Sequence, residues 1–128
     1  MNPQSAASAY KESLFESAPP LKIVHMLYEG AIRFLTQASQ TDPQAEPALF
    51  AENLRRAERI VAELRLSLDH EQAPELCSDL NSLYTFVERL IQDALIDREA
   101  TPLSEAVDIL ETLLEGWRSI QVSERMAG

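Results

Sequence analysis

The segment from Leu21 to Ala38 is apolar over roughly twice the arc that a helix needs to cover a small core. On a helical wheel it carries two apolar stripes that lie roughly 100° apart. The first stripe consists of Leu21, Val24, Tyr28, Ala31, Leu35 and Ala38. The second stripe consists of Ile23, Leu27, Gly30 and Phe34. An arc of this width predicts a helix that lies deep in a bundle, or one that keeps part of its surface for a partner.

Three further segments share the helical period, and no segment shows the alternation that is typical of a half-buried strand. The predicted helices run from the N-cap residue Ser17 to about Ser39, from Pro47 to Asp69–His70, from Pro74 to about Asp97, and from Thr101–Pro102 to about Val122. Because the connections between them are short, consecutive helices should lie antiparallel. The sequence therefore predicts an all-α fold, an antiparallel up-down-up-down four-helix bundle.

Two terminal segments flank the predicted bundle. Residues 1–16 are predicted to form a short N-terminal helical arm, residues 17–122 the bundle, and residues 123–128 a disordered C-terminal tail. Within the arm, Tyr10 and Leu14 are four residues apart and so share one face of a helix. Two interpretations stay open: the arm closes the open end of the bundle, or it is a movable cap over a binding groove.

The formal net charge of −10 excludes binding driven by a nucleic-acid backbone, which requires a basic stripe. No apolar stretch approaches the ~20 residues that span a bilayer. The N-terminus lacks the basic region and the apolar core of a signal peptide. The single cysteine, Cys77, cannot form an internal disulfide. We therefore expect a cytoplasmic protein without a nucleic-acid or membrane partner.

The two histidines offer little for catalysis or metal binding. A di-metal carboxylate site would require two Glu-x-x-His motifs, and neither His25 nor His70 has a glutamate three residues before it. We therefore expect no metal, no cofactor and no catalytic residue. One enzymatic alternative stays open, a histidine phosphotransfer bundle that uses His25, although the carboxylate of Glu29 at i+4 would repel a phosphohistidine. Another alternative is a non-catalytic dimerisation bundle.

The order of several short motifs resembles the flagellin-specific export chaperones of bacterial flagella. The motifs that carry the resemblance are Tyr10, Ser17-Ala-Pro-Pro, Leu27-Tyr28-Glu29-Gly30-Ala31, Leu68-Asp69-His70-Glu71, Leu80-Asn81-Ser82-Leu83-Tyr84, and Trp117 followed by Ser119 and Ile120. The chain departs from the family pattern at Ala73-Pro74, where a Gly-Gly pair is usual, and at Asp79, where an asparagine is usual. Both departures fall near the corner between the second and third helices.

The resemblance implies a cytoplasmic chaperone that binds the disordered C-terminal segment of flagellin, prevents premature polymerisation and assists export. Components of the export apparatus are further expected partners, and the chain is expected to be a monomer or a weak homodimer. Binding of this kind is recognition of a helix in a groove, coupled to folding of the client. It requires apolar surface beyond the core.

The candidate residues fall into two groups. Those predicted to line the apolar groove are Tyr10, Leu14, Ile23, Leu27, Gly30, Phe34, Ile109, Gly116 and Ile120. Those predicted to support it from the core are Tyr28, Leu83, Tyr84 and Trp117. For the two mid-helix glycines, Gly30 and Gly116, two interpretations are open: close approach of a client backbone, or tight packing between bundle helices.

Overall fold

The computed structural model describes residues 21–127, with side chains described for residues 21–120. It contains four helices: α1 (Leu21–Ser39), α2 (Pro47–Leu66), α3 (Pro74–Asp97) and α4 (Leu103–Ala127). Residues 21–127 contain no strand, and the all-α prediction is confirmed. The predicted arm at residues 1–16, including Tyr10 and Leu14, lies outside the described residues, as does the predicted start at Ser17.

The helices form a ring in which each packs against two neighbours. α1 and α3 each contact α2 and α4, whereas helices on the diagonals share no helix–helix interface. Gln44 Nε2, between α1 and α2, donates a hydrogen bond to the backbone oxygen of Arg98, between α3 and α4, at 3.4 Å. These two connections therefore lie at one end of the bundle, and consecutive helices run antiparallel. The up-down-up-down topology is thus as predicted.

Local residues determine where the helices begin and end. α2 and α3 begin at Pro47 and Pro74, where a missing N–H costs nothing. α2 ends at Leu66, earlier than predicted, because the next residues form a turn around Asp69. The carboxylate of Asp69 accepts hydrogen bonds from the backbone N–H groups two and three residues later, at 3.1 and 3.4 Å. An Asx turn of this kind competes with a continuing helix.

The end of α4 corrects a prediction. The helix continues to Ala127 rather than ending near Val122, so the predicted disordered tail at residues 123–128 is helical as far as Ala127. The physical reason is that the segment between these residues contains neither proline nor glycine. Nothing in it therefore terminates a helix, and its composition favours continuation.

The core lies along the axis of the ring and contains one stripe from each helix. Its largest fully buried side chains are Tyr28, Tyr84, Leu35, Leu54, Ile91, Leu103, Leu110, Val61 and Val87. The first apolar stripe of α1 is buried here from Val24 to Ala38. The second stripe of α1 lies on the side that faces α2, as described below.

Candidate functional site

Polar contacts between helices show which flank of each helix faces which neighbour. Arg65 Nε of α2 donates to Glu88 Oε2 of α3 at 2.9 Å, so the Glu88 flank of α3 faces α2. Arg118 Nη2 of α4 donates to Glu29 Oε2 of α1 at 3.0 Å, so the Arg118 flank of α4 faces α1. The opposite flanks of α3 and α4 therefore face each other.

Apolar side chains line both of these facing flanks, and we call the surface they form the α3–α4 groove. Its members are Leu76, Leu83, Phe86 and Leu90 of α3, and Ile109, Leu113, Gly116 and Ile120 of α4. Relative exposure is 36% for Leu83, 37% for Phe86 and 46% for Ile120. Exposed large apolar side chains grouped on facing flanks of two helices are typical of an interaction site.

The position of Leu83 corrects the prediction that it supports the core. Leu83 is an exposed residue, whereas its neighbour Tyr84 is almost completely buried. Leu83 lies at the edge of the buried face of α3, on the α4 side. α3 and α4 pack against each other less extensively than any other neighbouring pair. An edge residue here is therefore left uncovered, and Leu83 belongs to the groove.

A cavity, which we call the end pocket, opens at the end of the bundle where α1 and α3 begin. Its volume is about 230 Å³, and its lining is mostly apolar. The lining residues are Leu21, Val24, Leu64, Ser67, Leu68, Asp69, Gln72, Ala73, Leu76, Cys77, Leu80, Tyr84 and Trp117. Leu76 belongs to both the groove and the pocket, so the two apolar surfaces are continuous.

Three aromatic residues from three helices meet beside the end pocket. The hydroxyl groups of Tyr28 and Tyr84 form a hydrogen bond across the bundle axis. Trp117 Nε1 donates to Tyr28 Oη at 3.0 Å. Burial raises the pKa of both tyrosines above its ordinary value, so both hydroxyls stay neutral. Tyr84 and Trp117 both line the pocket, and the network fixes their positions there.

The groove residues predicted on α1 form a line that does not reach the α3–α4 groove. This α1 line, Ile23, Leu27, Gly30 and Phe34, lies on the side of α1 that faces α2. A Cβ atom on Gly30 would lie 3.3 Å from Ile60 Cδ1, which identifies Gly30 as a site of tight packing between helices. Leu27 and Phe34 are half-buried and pack against the core. Ile23, the remaining member of this line, is also half-buried. Because α1–α2 and α3–α4 are opposite sides of the ring, the predicted α1 and α4 lines do not form a single groove.

The groove residues predicted on α4 are Ile109, Gly116 and Ile120, and this α4 line is less covered than the α1 line. A Cβ atom on Gly116 would have no neighbour within 4 Å among the described residues. Ile109 is half-buried and packs against the core, whereas Ile120 is exposed. The two glycines therefore differ: Gly30 serves packing, and Gly116 leaves space beside the groove.

Four further groove residues were not predicted from the sequence: Leu76, Phe86, Leu90 and Leu113. Leu76, Leu90 and Leu113 fall within the apolar stripes of α3 and α4, so periodicity alone places them in the core. Phe86 could have been identified from the sequence, because it is a large apolar residue that lies outside the main apolar stripe of α3.

The surroundings of His25 disfavour the phosphotransfer alternative. Its Nε2 atom is buried and has no hydrogen-bond partner among the described side chains. A phosphoryl donor cannot reach a buried nitrogen. Within the described part of the chain, no three or more His, Cys, Asp or Glu residues cluster as metal ligands would. None of the helices described is both long enough and apolar enough to cross a membrane.

Comparison with known proteins gives a consistent result. Residues 2–124 match the family model described as "Flagellar protein FliS". The chain is 29% identical over 122 residues to the flagellar secretion chaperone FliS of Campylobacter jejuni, covering 95% of each chain. It is 26% identical over 122 residues to the protein of the same name from Bacillus subtilis, covering 95% of this chain and 90% of that relative.

A third relative and a solved structure agree. The flagellar secretion chaperone FliS of Salmonella typhimurium is 29% identical over 110 residues, covering 85% of this chain and 82% of the relative. A crystal structure of a bacterial flagellar chaperone matches the fold with a TM-score of 0.76 at 24% identity, covering 90% of this chain and 94% of that chain. The relatives are named as chaperones, a non-enzymatic role, which confirms the prediction of a protein that is not an enzyme. Since the family model covers nearly the whole sequence, this chain belongs to the FliS family of flagellar proteins.

Proposed function

We propose that this chain is a cytoplasmic secretion chaperone that binds the disordered C-terminal segment of flagellin, prevents its premature polymerisation and assists its export. The observation that carries the proposal is the α3–α4 groove, an exposed apolar line that continues into the end pocket. The names of the relatives, flagellar secretion chaperones, support an export substrate as the partner. Components of the export apparatus would then bind the loaded chaperone.

The groove suits a segment that folds as it binds. Leu83, Phe86 and Ile120 are exposed along it and would receive apolar side chains spaced at i, i+4 and i+7 on a client helix. Each large apolar side chain that becomes buried contributes about 1.5–3 kcal/mol. Part of this gain offsets the cost of ordering the client. Gly116 leaves room for the client backbone to approach α4 closely.

We also propose that the N-terminal arm, residues 1–16, caps the end pocket until the client arrives. The proposal is supported by Leu21, the first described residue after the arm, which lines that pocket. Tyr10 and Leu14 would supply apolar side chains to fill it. Because the pocket adjoins the groove at Leu76, a client that extends from the groove into the pocket would displace the arm.

The α1 line has a smaller part in this proposal. Ile23, Leu27 and Phe34 are half-buried, so each offers the client less apolar surface than the exposed residues of the α3–α4 groove do. The guanidinium groups of Arg33 and Arg56 also lie over the Phe34 ring, 5.3 and 5.6 Å from its centroid. A client that wraps around the bundle would contact this line only after binding the groove.

The test compares two Leu→Gln variants that differ only in position. Leu83→Gln removes an apolar side chain from the groove, whereas Leu66→Gln removes a single exposed leucine, 73% exposed, from the outer face of α2. Calorimetry with the C-terminal segment of the organism's own flagellin should show a strongly negative heat-capacity change. Leu83→Gln should weaken binding roughly tenfold, and Leu66→Gln should leave it unchanged.

Two results would count against the proposal. One is no binding of that flagellin segment to the unaltered chain. The other is an equal loss of affinity in the two variants. Both variants should keep the helical circular-dichroism spectrum of the parent, because both positions are exposed.

The exposed groove also keeps the dimerisation alternative open. A second copy of the chain could cover the same apolar residues instead of a client. Sedimentation at rising concentration distinguishes the two. A chaperone that is a monomer or a weak dimer should lose any self-association when the flagellin segment is added, whereas a dimerisation module should retain it.

A further inference from the structure

Acidic side chains flank the α3–α4 groove on its α3 side. Asp79 precedes Leu83 by four residues, so the two side chains are neighbours on the helix surface. Asp93 and Asp97 follow Phe86 and Leu90, respectively, by seven residues and lie nearly in line with them. All three aspartates are exposed. The exposed apolar edge of α3 is therefore bordered by carboxylates.

Among the side chains that the structure describes, none forms an ion pair with these carboxylates. The ion pairs among the described side chains are Arg56–Glu52, Arg65–Glu88 and Arg118–Glu29, and none of them includes an aspartate of the groove. One cation, Arg89, lies on the same outer flank of α3. One further carboxylate, Glu105, precedes Ile109 by four residues on α4. The border of the groove therefore stays acidic.

The opposite side of the ring shows that the acidic border is more than a consequence of net charge. The α1–α2 surface has apolar residues at Leu27, Phe34 and Ile60, yet its rim carries Arg56 and Arg59 together with Glu63. Arg33 also reaches this rim, over the Phe34 ring. In a chain of net charge −10, one apolar surface is thus bordered mainly by cations and the other mainly by carboxylates.

We infer that the segment bound in the α3–α4 groove is an amphipathic helix whose apolar stripe is flanked by lysine or arginine side chains. The inference rests on the proposed function, since it concerns the client of that same groove. The apolar stripe supplies the affinity, while charges at the rim select the partner and fix its orientation. A client with acidic flanks is disfavoured because like charges would face each other.

Two synthetic peptides of equal length test the charge preference. Both carry the same leucine stripe at helical spacing, one with lysines on its flanks and the other with glutamates. The lysine peptide should bind at least tenfold more tightly at low ionic strength, and the difference should shrink as salt is added. Equal affinities for the two peptides would overturn the inference.

Two triple variants separate local pairing from long-range attraction. Asp79→Asn/Asp93→Asn/Asp97→Asn neutralises the groove border, while Asp108→Asn/Glu111→Gln/Glu115→Gln neutralises three carboxylates at the α1–α4 surface. Both change the net charge equally. The first should weaken binding of the lysine peptide about tenfold, as expected for three exposed ion pairs, and the second less than about twofold. Equal losses would mean that the attraction is non-specific and would overturn the inference.

The flagellin segment distinguishes failure of the inference from failure of the function. If the unaltered chain binds that segment and both triple variants bind it as tightly, the inference is wrong and the proposed function stands. If the chain binds neither the segment nor the lysine peptide, both are wrong. If the chain associates with itself and neutralising the groove border abolishes that association, the groove binds a second copy of the chain. This result would also overturn the inference.

Discussion

At the scale of single residues, the polar contact in the middle of the bundle joins helices that are otherwise not neighbours. Tyr28 of α1 and Tyr84 of α3 lie on a diagonal of the ring, and their hydroxyl groups meet across the core. Trp117 of α4 adds a third helix through its N–H donor. Buried polar groups are costly unless they are paired, so this network favours one register of the helices over others.

The tyrosine pair predicts how stability depends on alkaline pH. Burial keeps the pKa of both hydroxyls above the ordinary value of 10.0, at which they ionise in the unfolded chain. Above that pH the folded state binds more protons than the unfolded state, so the free energy of unfolding falls as pH rises. The loss should reach about 1.4 kcal/mol per pH unit for each tyrosine. Urea denaturation between about pH 8 and about pH 11 measures it.

The control for this prediction is the double variant Tyr28→Phe/Tyr84→Phe. It lacks the two ionising groups, so its stability should fall less steeply above about pH 10 than that of the parent. An equal slope in the two proteins would show that other groups cause the alkaline loss.

At the scale of helices, the sequence predicted the elements well and their ends less well. Pro47 and Pro74 mark helix starts that local chemistry determines. The Asx turn at Asp69 ends α2 at Leu66, before the end that its apolar pattern predicts. In this turn, hydrogen bonds to a side chain replace the backbone hydrogen bonds of a helix. The assignment of Leu83 to the core failed because a helical wheel gives the direction of a side chain within its own helix. How closely the neighbouring helix approaches is a property of the assembled bundle.

The two mid-helix glycines give a prediction at the same scale. Gly116→Ala should raise the free energy of unfolding by about 1 kcal/mol, because alanine favours the helix and its methyl group would meet no described residue within 4 Å. Gly30→Ala should give a smaller gain or none, because its methyl group would press on Ile60 Cδ1 at 3.3 Å. Thermal or urea unfolding of the two variants measures the difference. A larger gain at Gly30 would contradict the packing described here.

At the scale of the whole molecule, the chain has two apolar surfaces on opposite sides of one ring. The two lines of residues predicted from the sequence to form a groove lie on these two surfaces, one on α1 and one on α4. Their separation could not be predicted, because it depends on which neighbour each flank faces. Contacts distant in sequence, such as Arg118–Glu29 and Arg65–Glu88, show that arrangement only in the folded bundle.

The proposed cap gives a prediction at this scale. Deletion of residues 1–16 should leave the bundle folded, because the core described here uses residues from Val24 to Leu114. It should raise affinity for the flagellin segment, since a competitor for the end pocket is removed. Trp117 is the only tryptophan and lines that pocket, so its fluorescence should become more accessible to a soluble quencher. Unfolding on deletion would instead make the arm a structural element.

The most direct test of the central claim is to map the client on the surface. Isotope-labelled chain is titrated with the C-terminal flagellin segment, and amide chemical shifts are followed by NMR. The largest changes are expected along the α3–α4 groove, at Leu83, Phe86 and Gly116, and at the end pocket. Changes confined to the α1–α2 surface around Leu27 and Ile60, with none along the groove, would contradict this expectation.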